Sequence, residues 1–223
     1  MKNVMGIILI SMIVLFVGCA QTYQARKVET SGFLGDYSML REGKKGEAQL
    51  IYINPDADFA AYDKVMFDPV GVWCSVDSKV PREELHNLAT HLHNTVIAKL
   101  EEDYEIVQTQ GPGVMRISVA LTEAKKSKVG MNIITTILPQ AYLMSGAKKL
   151  ATGTHSFVGE ASIEGKITDA NTGERLAAMM DRRAGGKTLK GSTKSWNDVD
   201  EAFQYWADRL SQRLRDMRAG KGD

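Results

Sequence analysis

Cysteine is nearly missing from this chain: Cys19 and Cys74 are the only two in 223 residues, alongside five prolines. So small a supply excludes a disulfide-framed scaffold. Cys74 lies in the strand-like stretch Val70-Gly71-Val72-Trp73-Cys74 and reads as a small buried hydrophobe. Neither charge sign dominates, with 28 basic against 27 acidic side chains, which speaks against a general nucleic-acid surface. No uninterrupted apolar run reaches the about 20 residues of a spanning helix. No serine sits in a nucleophile-elbow context, and no haem or zincin motif occurs. No internal repeat and no coiled-coil length of heptads is found. The sequence therefore excludes much and names no catalytic residue, metal ligand or cofactor.

What is present begins at the N-terminus. Lys2 precedes an uncharged apolar run over residues 4–17, which ends in Leu15-Phe16-Val17-Gly18-Cys19. A charged start, a short apolar core and a small residue before cysteine resemble the lipobox leader of bacterial lipoproteins. Phe16 stands where that pattern usually has leucine. The resemblance implies cleavage after residue 18 and acyl chains, palmitate among them, on Cys19. At about 0.8 kcal/mol per buried methylene, more than one chain makes anchorage stable. Ala20 rather than aspartate follows the cysteine. The sorting pattern then implies the outer membrane, periplasmic side.

Periodicity divides the rest into residues 19–36 as lipidated N-terminus and tether, 37–219 as one domain and 220–223 as a flexible tail. The tether is expected to dock near Gly32-Phe33-Leu34-Gly35. Residues 50–53 read as a strand closed by Asn54-Pro55-Asp56. Residues 62–73 read as a second strand, bent at Asp68-Pro69 because proline removes a ladder donor. Pro81 is expected in the first turn of a helix, with Glu83 and Glu84 at its positive end. Leu85, Leu88, Ala89, Leu92, Val96 and Leu100 form its apolar stripe. Strands are expected at 104–107 and 115–121.

A hairpin follows. Phe157, Gly159, Ala161, Ile163, Gly165 and Ile167 point one way, Glu160, Ser162, Glu164 and Lys166 the other, and residues 175–180 return after Asp169-Ala170-Asn171-Thr172-Gly173. The glycines on the apolar face predict a closely approaching helix backbone. A last helix carries Trp196, Val199, Ala202, Phe203, Trp206, Leu210, Leu214 and Met217, capped near Ser195 or Asn197. The order ββαββ-(apolar segment)-ββα predicts an α+β fold, a mainly antiparallel sheet with two amphipathic helices on one side.

The apolar segment includes Met131, Ile134, Ile137, Leu138 and Tyr142, flanked by Lys125, Lys126, Lys128, Lys148 and Lys149. Pro139 and scattered polar residues argue against a membrane span. Packing on the domain's own sheet, a partner or self-assembly surface, and a bilayer-facing segment all stay open. Asp181-Arg182-Arg183 is a second candidate interaction site, for an anionic lipid or glycan. His86, His91 and His93 on the first helix do not converge, and His155 lies in a distant loop, so no metal is expected. Glu160 and Glu164 are about 13 Å apart in a strand, wider than glycosidase pairs, and read as surface salt-bridging groups. Asn54-Pro55-Asp56-Ala57-Asp58 does not match a calcium loop. Gly186-Lys187-Thr188 copies only the tail of a nucleotide-binding loop.

Ser31-Gly32-Phe33-Leu34, Tyr62-Asp63-Lys64-Val65 with Pro69-Val70, Phe157-Val158-Gly159-Glu160-Ala161 through Asp169-x-x-Thr172-Gly173, and Asp181-Arg182-Arg183 together resemble the bacterial lipoprotein family called domain of unknown function 3313. That resemblance implies an envelope lipoprotein and brings no activity, cofactor or catalytic residue. The expectation is a non-enzymatic structural or protein-assembly component. It would meet membrane lipid through Cys19 and a homo-oligomeric or envelope protein partner, with no nucleic acid. A binding module for lipid, glycan or small ligand is the alternative, and a hydrolase built from dispersed Glu160, Asp181, His86 and His155 a third.

Overall fold

The computed structural model describes residues 23–24, 30–74, 81–122, 134–135, 160–184 and 196–221. Ten strands are found among them: β1 (Tyr23–Gln24), β2 (Arg41–Glu42), β3 (Leu50–Ile53), β4 (Lys64–Phe67), β5 (Gly71–Cys74), β6 (Glu105–Ile106), β7 (Val114–Thr122), β8 (Ile134–Thr135), β9 (Glu160–Asp169) and β10 (Arg175–Ala184). Helix α1 (Arg82–Leu100) separates β5 from β6, and α2 (Trp196–Arg218) follows β10. The strands form one sheet in the order β2-β3-β10-β9-β7-β4-β6. Beyond β3, β1 adds to the end of β10; beyond β4, β5 adds to β7 and carries β8.

The class is α+β, and the sheet is mixed, largely antiparallel. β7, β9, β10 and β3 are antiparallel neighbours, whereas β4 and β5 run parallel to β7, and β4 parallel to β6. The antiparallel majority agrees with the expectation in its coarse form, and the parallel strands refine it. The parallel pairing arises from α1, which carries the chain back along the sheet, so strands on either side of it point the same way. The expected bend at Asp68-Pro69 separates β4 from β5. The Asp68 carboxylate is held there by Arg116 Nε at 2.9 and 3.0 Å and Ser118 Oγ at 2.6 Å.

Pro81 is the N-cap of α1 rather than a first-turn residue, without a side-chain cap, and Glu83 and Glu84 occupy the first turn. Its apolar stripe joins Val199, Ala202, Phe203, Trp206 and Leu214 of α2 in a single core cluster. Val65 and Phe67 of β4, alternate β7 residues, and Ala161, Ile163 and Ile167 of β9 belong to the same cluster. Each fully buried large apolar side chain contributes roughly 1.5–3 kcal/mol of transfer free energy. His91 Nε2 meets Asp200 Oδ1 at 2.7 Å, Lys99 lies 3.4 Å from Asp208, and Arg215 is 2.6 Å from Asp103. These pairs align the two helices in the same direction.

The hairpin turn is built by Asp169, whose Oδ1 accepts the N–H groups of Asn171 and Thr172 at 2.9 and 2.7 Å. Gly173 supplies the left-handed residue, at φ 75°, which costs other residues more. The return strand extends four residues past the expected Met180.

The opposite face of the sheet is covered by residues 31–40. Leu34 is buried against Ala178 and Met180, with Phe33 and Tyr37 beside them. Arg175 donates to the carbonyls of Leu34 and Asp36 at 2.7 and 2.9 Å. Beneath lies Glu164, fully buried at 0% exposure. Its Oε1 accepts the Ser31 N–H at 2.7 Å and its Oε2 the Tyr37 hydroxyl at 2.6 Å. This corrects the reading of Glu164 as a surface salt-bridging group: strand alternation put it on the other face from the helices, but that face is covered too.

Candidate functional site

Between the sheet and α2 lies a cavity of about 120 Å³. Its floor is carbon: Ile51 and Ile53 of β3, Ile163 and Ile167 of β9, Ala177 and Met179 of β10, and Ile117 and Val119 of β7. Leu92 and Val96 of α1, with Trp206, Leu210 and Met217 of α2, complete the walls. Gly165 contributes by omission. Over it stand the Met179 and Val119 side chains, each 3.7 Å from where a Cβ would be. The expected helix backbone is not among its near neighbours.

The mouth is charged. Gly46, Glu47, Arg209 and Arg213 line it. The Glu47 carboxylate accepts from Arg41 at 3.0 Å and from the Lys44 N–H at 2.7 Å, and pairs with Arg213. Burial pushes this carboxyl up, but those hydrogen bonds and the neighbouring guanidinium charges outweigh it and hold it below the usual range. Arg209 Nε donates to Tyr205 Oη at 3.2 Å, and its guanidinium lies 5.5 Å from that ring's centre.

Asp181 lines the cavity under α2, with Arg183 beside it. Asp181 Oδ2 accepts from Trp206 Nε1 at 2.8 Å and from Arg183 Nε at 3.1 Å, and its Oδ1 from the Gln49 N–H at 3.3 Å. The Arg183 guanidinium stacks 3.5 Å from the Tyr205 ring centre, a desolvated cation–π contact. Two of the three candidate interaction residues thus turn their charges on the interior, while Arg182 is half-buried on the neighbouring position. Desolvation offsets most of the Coulombic attraction in a buried charge pair of this kind.

The other proposed residues fall as follows. Ile134 is in β8, paired with Cys74 of β5. Cys19, Met131, Ile137, Leu138, Tyr142 and His155 lie outside the described residues. On α1, His91 faces α2 and His93 is buried beside Phe67, ring centres 5.0 Å apart. Burial pulls the His93 imidazole below its ordinary value, against a hydrogen bond to the Asp68 backbone. Among the described residues no group of three or more metal-ligating side chains comes together. Nor is any described helix long and apolar enough to cross a membrane. Glu47, Arg209 and Arg213 carry the mouth; the sequence marks the two arginines only as cations near the C-terminal end of a helix and does not mark Glu47.

No curated protein matches the chain. Solved structures are similar at a distance. The PelC dodecamer from Paraburkholderia phytofirmans is 15% identical, over 72% of this chain and 92% of that one, with a TM-score of 0.37. A DUF4136 family protein from Bacteroides thetaiotaomicron is 12% identical, over 72% and 94%, with a TM-score of 0.38. A DUF330 family protein from Xanthomonas campestris is 10% identical, over 76% and 91%, with a TM-score of 0.35. Overlaps this loose carry no argument about the present chain. The family described as protein of unknown function (DUF3313) matches residues 29–210, well over half the chain, and the chain belongs to that family.

Proposed function

We propose that the protein is a lipid-anchored component of the bacterial envelope, attached through Cys19 to the periplasmic side of the outer membrane. In this reading it works without catalysis, by holding a protein partner or further copies of itself. The leader residues support the anchor. One structural observation supports a fixed, structural role over that of a free-ranging carrier: the chain just after Cys19 is joined to the sheet, Tyr23 opposite Ala184 and Gln24 opposite Arg183. Replacing Cys19→Ser is expected to release the protein from membranes on fractionation, and crosslinking in detergent extracts to recover a reproducible partner or oligomer. A membrane-bound mutant contradicts the anchor; a strictly monomeric, partnerless protein contradicts the assembly role.

The cavity favours a second reading, a binding module. Ligand pockets for drug-sized molecules run to several hundred cubic ångströms. A space of about 120 Å³ is closer to the dry, carbon-lined cavities of roughly 150 Å³ that take a single benzene. It suits a short alkyl tail, with an anionic head placed near Arg209. Calorimetry with octanoate is expected to show saturable binding that Arg209→Gln weakens. No binding by the wild-type protein removes this reading.

A further inference from the structure

The mouth of the cavity is bordered by a short turn at the edge of the sheet. β2 is the end strand. Between it and β3 the Glu47 N–H donates to the Lys44 carbonyl at 3.0 Å, and Gly46 is left-handed at φ 88°. Gly46 rests on α2: a Cβ there would stand 3.0 Å from Arg209 Nη2. Among the described residues no backbone hydrogen bond joins this turn to α2. Glu47 makes the connection instead, through Arg213.

Arg209 and Arg213 stand four residues apart on α2 and so share a face. They differ in what they hold. Arg213 pairs with the Glu47 carboxylate. Arg209 donates Nε to the Tyr205 hydroxyl and ion-pairs with no carboxylate among the described residues. Lys44 and Lys45 add two exposed cations in the turn, with exposed Glu42 on the strand before it. The Glu47 side chain is only 6% exposed. A carboxylate set on arginine at the rim of a carbon-lined space has the chemistry of a fatty-acid head, which a guanidinium recognises with directed, charge-assisted hydrogen bonds. Its other two partners, Arg41 and the Lys44 N–H, belong to the same hairpin. Were the hairpin tip to move, they would move with it, and Glu47 would keep its hydrogen bonds. An incoming carboxylate would leave Arg213 paired as well, so the exchange strands no charge.

We infer that Glu47 holds the place of a ligand's head, and that the ligand is a single-chain carboxylate. Its head displaces Glu47 from Arg213 and meets Arg209 beside it. The 44–47 turn lifts away with Glu47, and the chain passes beneath onto Ile51, Ile53 and Met179 of the cavity floor. A space of about 120 Å³ admits one chain, not the two of a phospholipid. The ladder between β3 and β10, from Leu50 to Ile53, lies beyond the turn and stays formed.

The inference rests on the cavity being a binding site, and its test separates the two. The full lipidated chain in lipid nanodiscs is titrated calorimetrically with octanoate and with its neutral isostere octanamide, empty discs serving as the blank. Octanoate is expected to bind several-fold tighter than octanamide. Glu47→Gln is expected to tighten octanoate further, and more than octanamide, because no internal carboxylate then competes; a merely structural role for Glu47 predicts weaker binding. Arg213→Gln is expected to bring octanoate down toward octanamide. In the wild-type protein, amide exchange at residues 44–47 is expected to quicken when octanoate binds, while β9 and β10 keep their protection. The amide comparison and the exchange measurement need no variant to fold. Octanoate that binds no tighter than octanamide, that Glu47→Gln leaves unchanged or weakens, or that leaves the turn's exchange unaltered overturns the displacement while the cavity remains a site. Binding of neither compound removes the cavity as a site, and this inference with it.

Discussion

The two faces of the sheet are covered by different means. Over one lie two long helices, and the contact is almost entirely carbon: Leu88, Leu92, Phe203 and Leu214 against Val65, Ile117 and Ile163. Over the other lies a ten-residue strap without regular structure, fastened by a few apolar side chains and a buried carboxylate that accepts two hydrogen bonds. A helix brings its own backbone hydrogen bonds to the core. A strap must find them, which is why Arg175 reaches its carbonyls and Tyr37 its N–H groups. The helix face draws its stability from area, and the strap face from a small number of directed bonds.

Substitutions on each face sharpen that contrast. The largest loss is expected for Trp206→Ala, about 3–5 kcal/mol, because it opens a cavity and removes the indole donor from Asp181. Denaturant unfolding measures it, and a loss below about 1 kcal/mol means that the helix face does not depend on this packing. On the strap side, Leu34→Ala is expected to cost about 2–4 kcal/mol, with residues 31–40 exchanging amide hydrogens faster while α1 and α2 keep their protection. Loss of protection in both regions at once makes the faces one cooperative unit.

Tyr37→Phe is expected to cost about 1–3 kcal/mol, since it leaves a buried carboxylate one donor short. The same hydroxyl predicts an alkaline signature. Burial, and next the hydrogen bond to Glu164, push Tyr37 up from 10.0 to about 12. Between those values the unfolded chain has lost the phenolic proton and the folded chain keeps it, so stability falls as pH rises through this window. Tyr62, pushed up to about 12 by burial and by Asp169, shares it. Tyr37→Phe is thus expected to reduce the alkaline slope without abolishing it; an unchanged slope contradicts the strap geometry.

The smallest effect belongs to the helix face. His93 is held below its ordinary 6.5 by burial. As pH falls past that value the unfolded chain takes up a proton that the folded chain resists, and stability declines. His93→Phe is expected to flatten the pH dependence of the unfolding midpoint on the acid side of 6.5, and a curve identical to wild type rules this imidazole out as its source.

The helix face was readable in the sequence because its signals are local. The stripe from Leu85 to Leu100 repeats at helical spacing, and the hairpin from Ala161 alternates around a turn that Asp169 and Gly173 announce. The strap face was readable only in part: docking near Gly32-Phe33-Leu34-Gly35 was expected, and Leu34 is buried there, but not the buried carboxylate beneath it. Alternation assigns Glu164 to a side of the strand but is silent on what covers that side, and Tyr37 lies 127 positions away. The mouth of the cavity poses the same difficulty, since Glu47 and Arg213 are 166 positions apart. Asp181-Arg182-Arg183 reads as a surface charge cluster until α2 is laid over it with Trp206 and Tyr205 in place. A cavity left where Gly165 faces Met179 is a misfit of volumes, which no pattern of residue types encodes.

The functional account stands on the chemistry at Cys19. Intact-mass and peptide mass spectrometry of protein extracted from membranes tests it most directly. The account predicts a chain beginning at Cys19, with acyl groups on that residue and residues 1–18 absent. An unacylated chain that still begins at Met1 contradicts it.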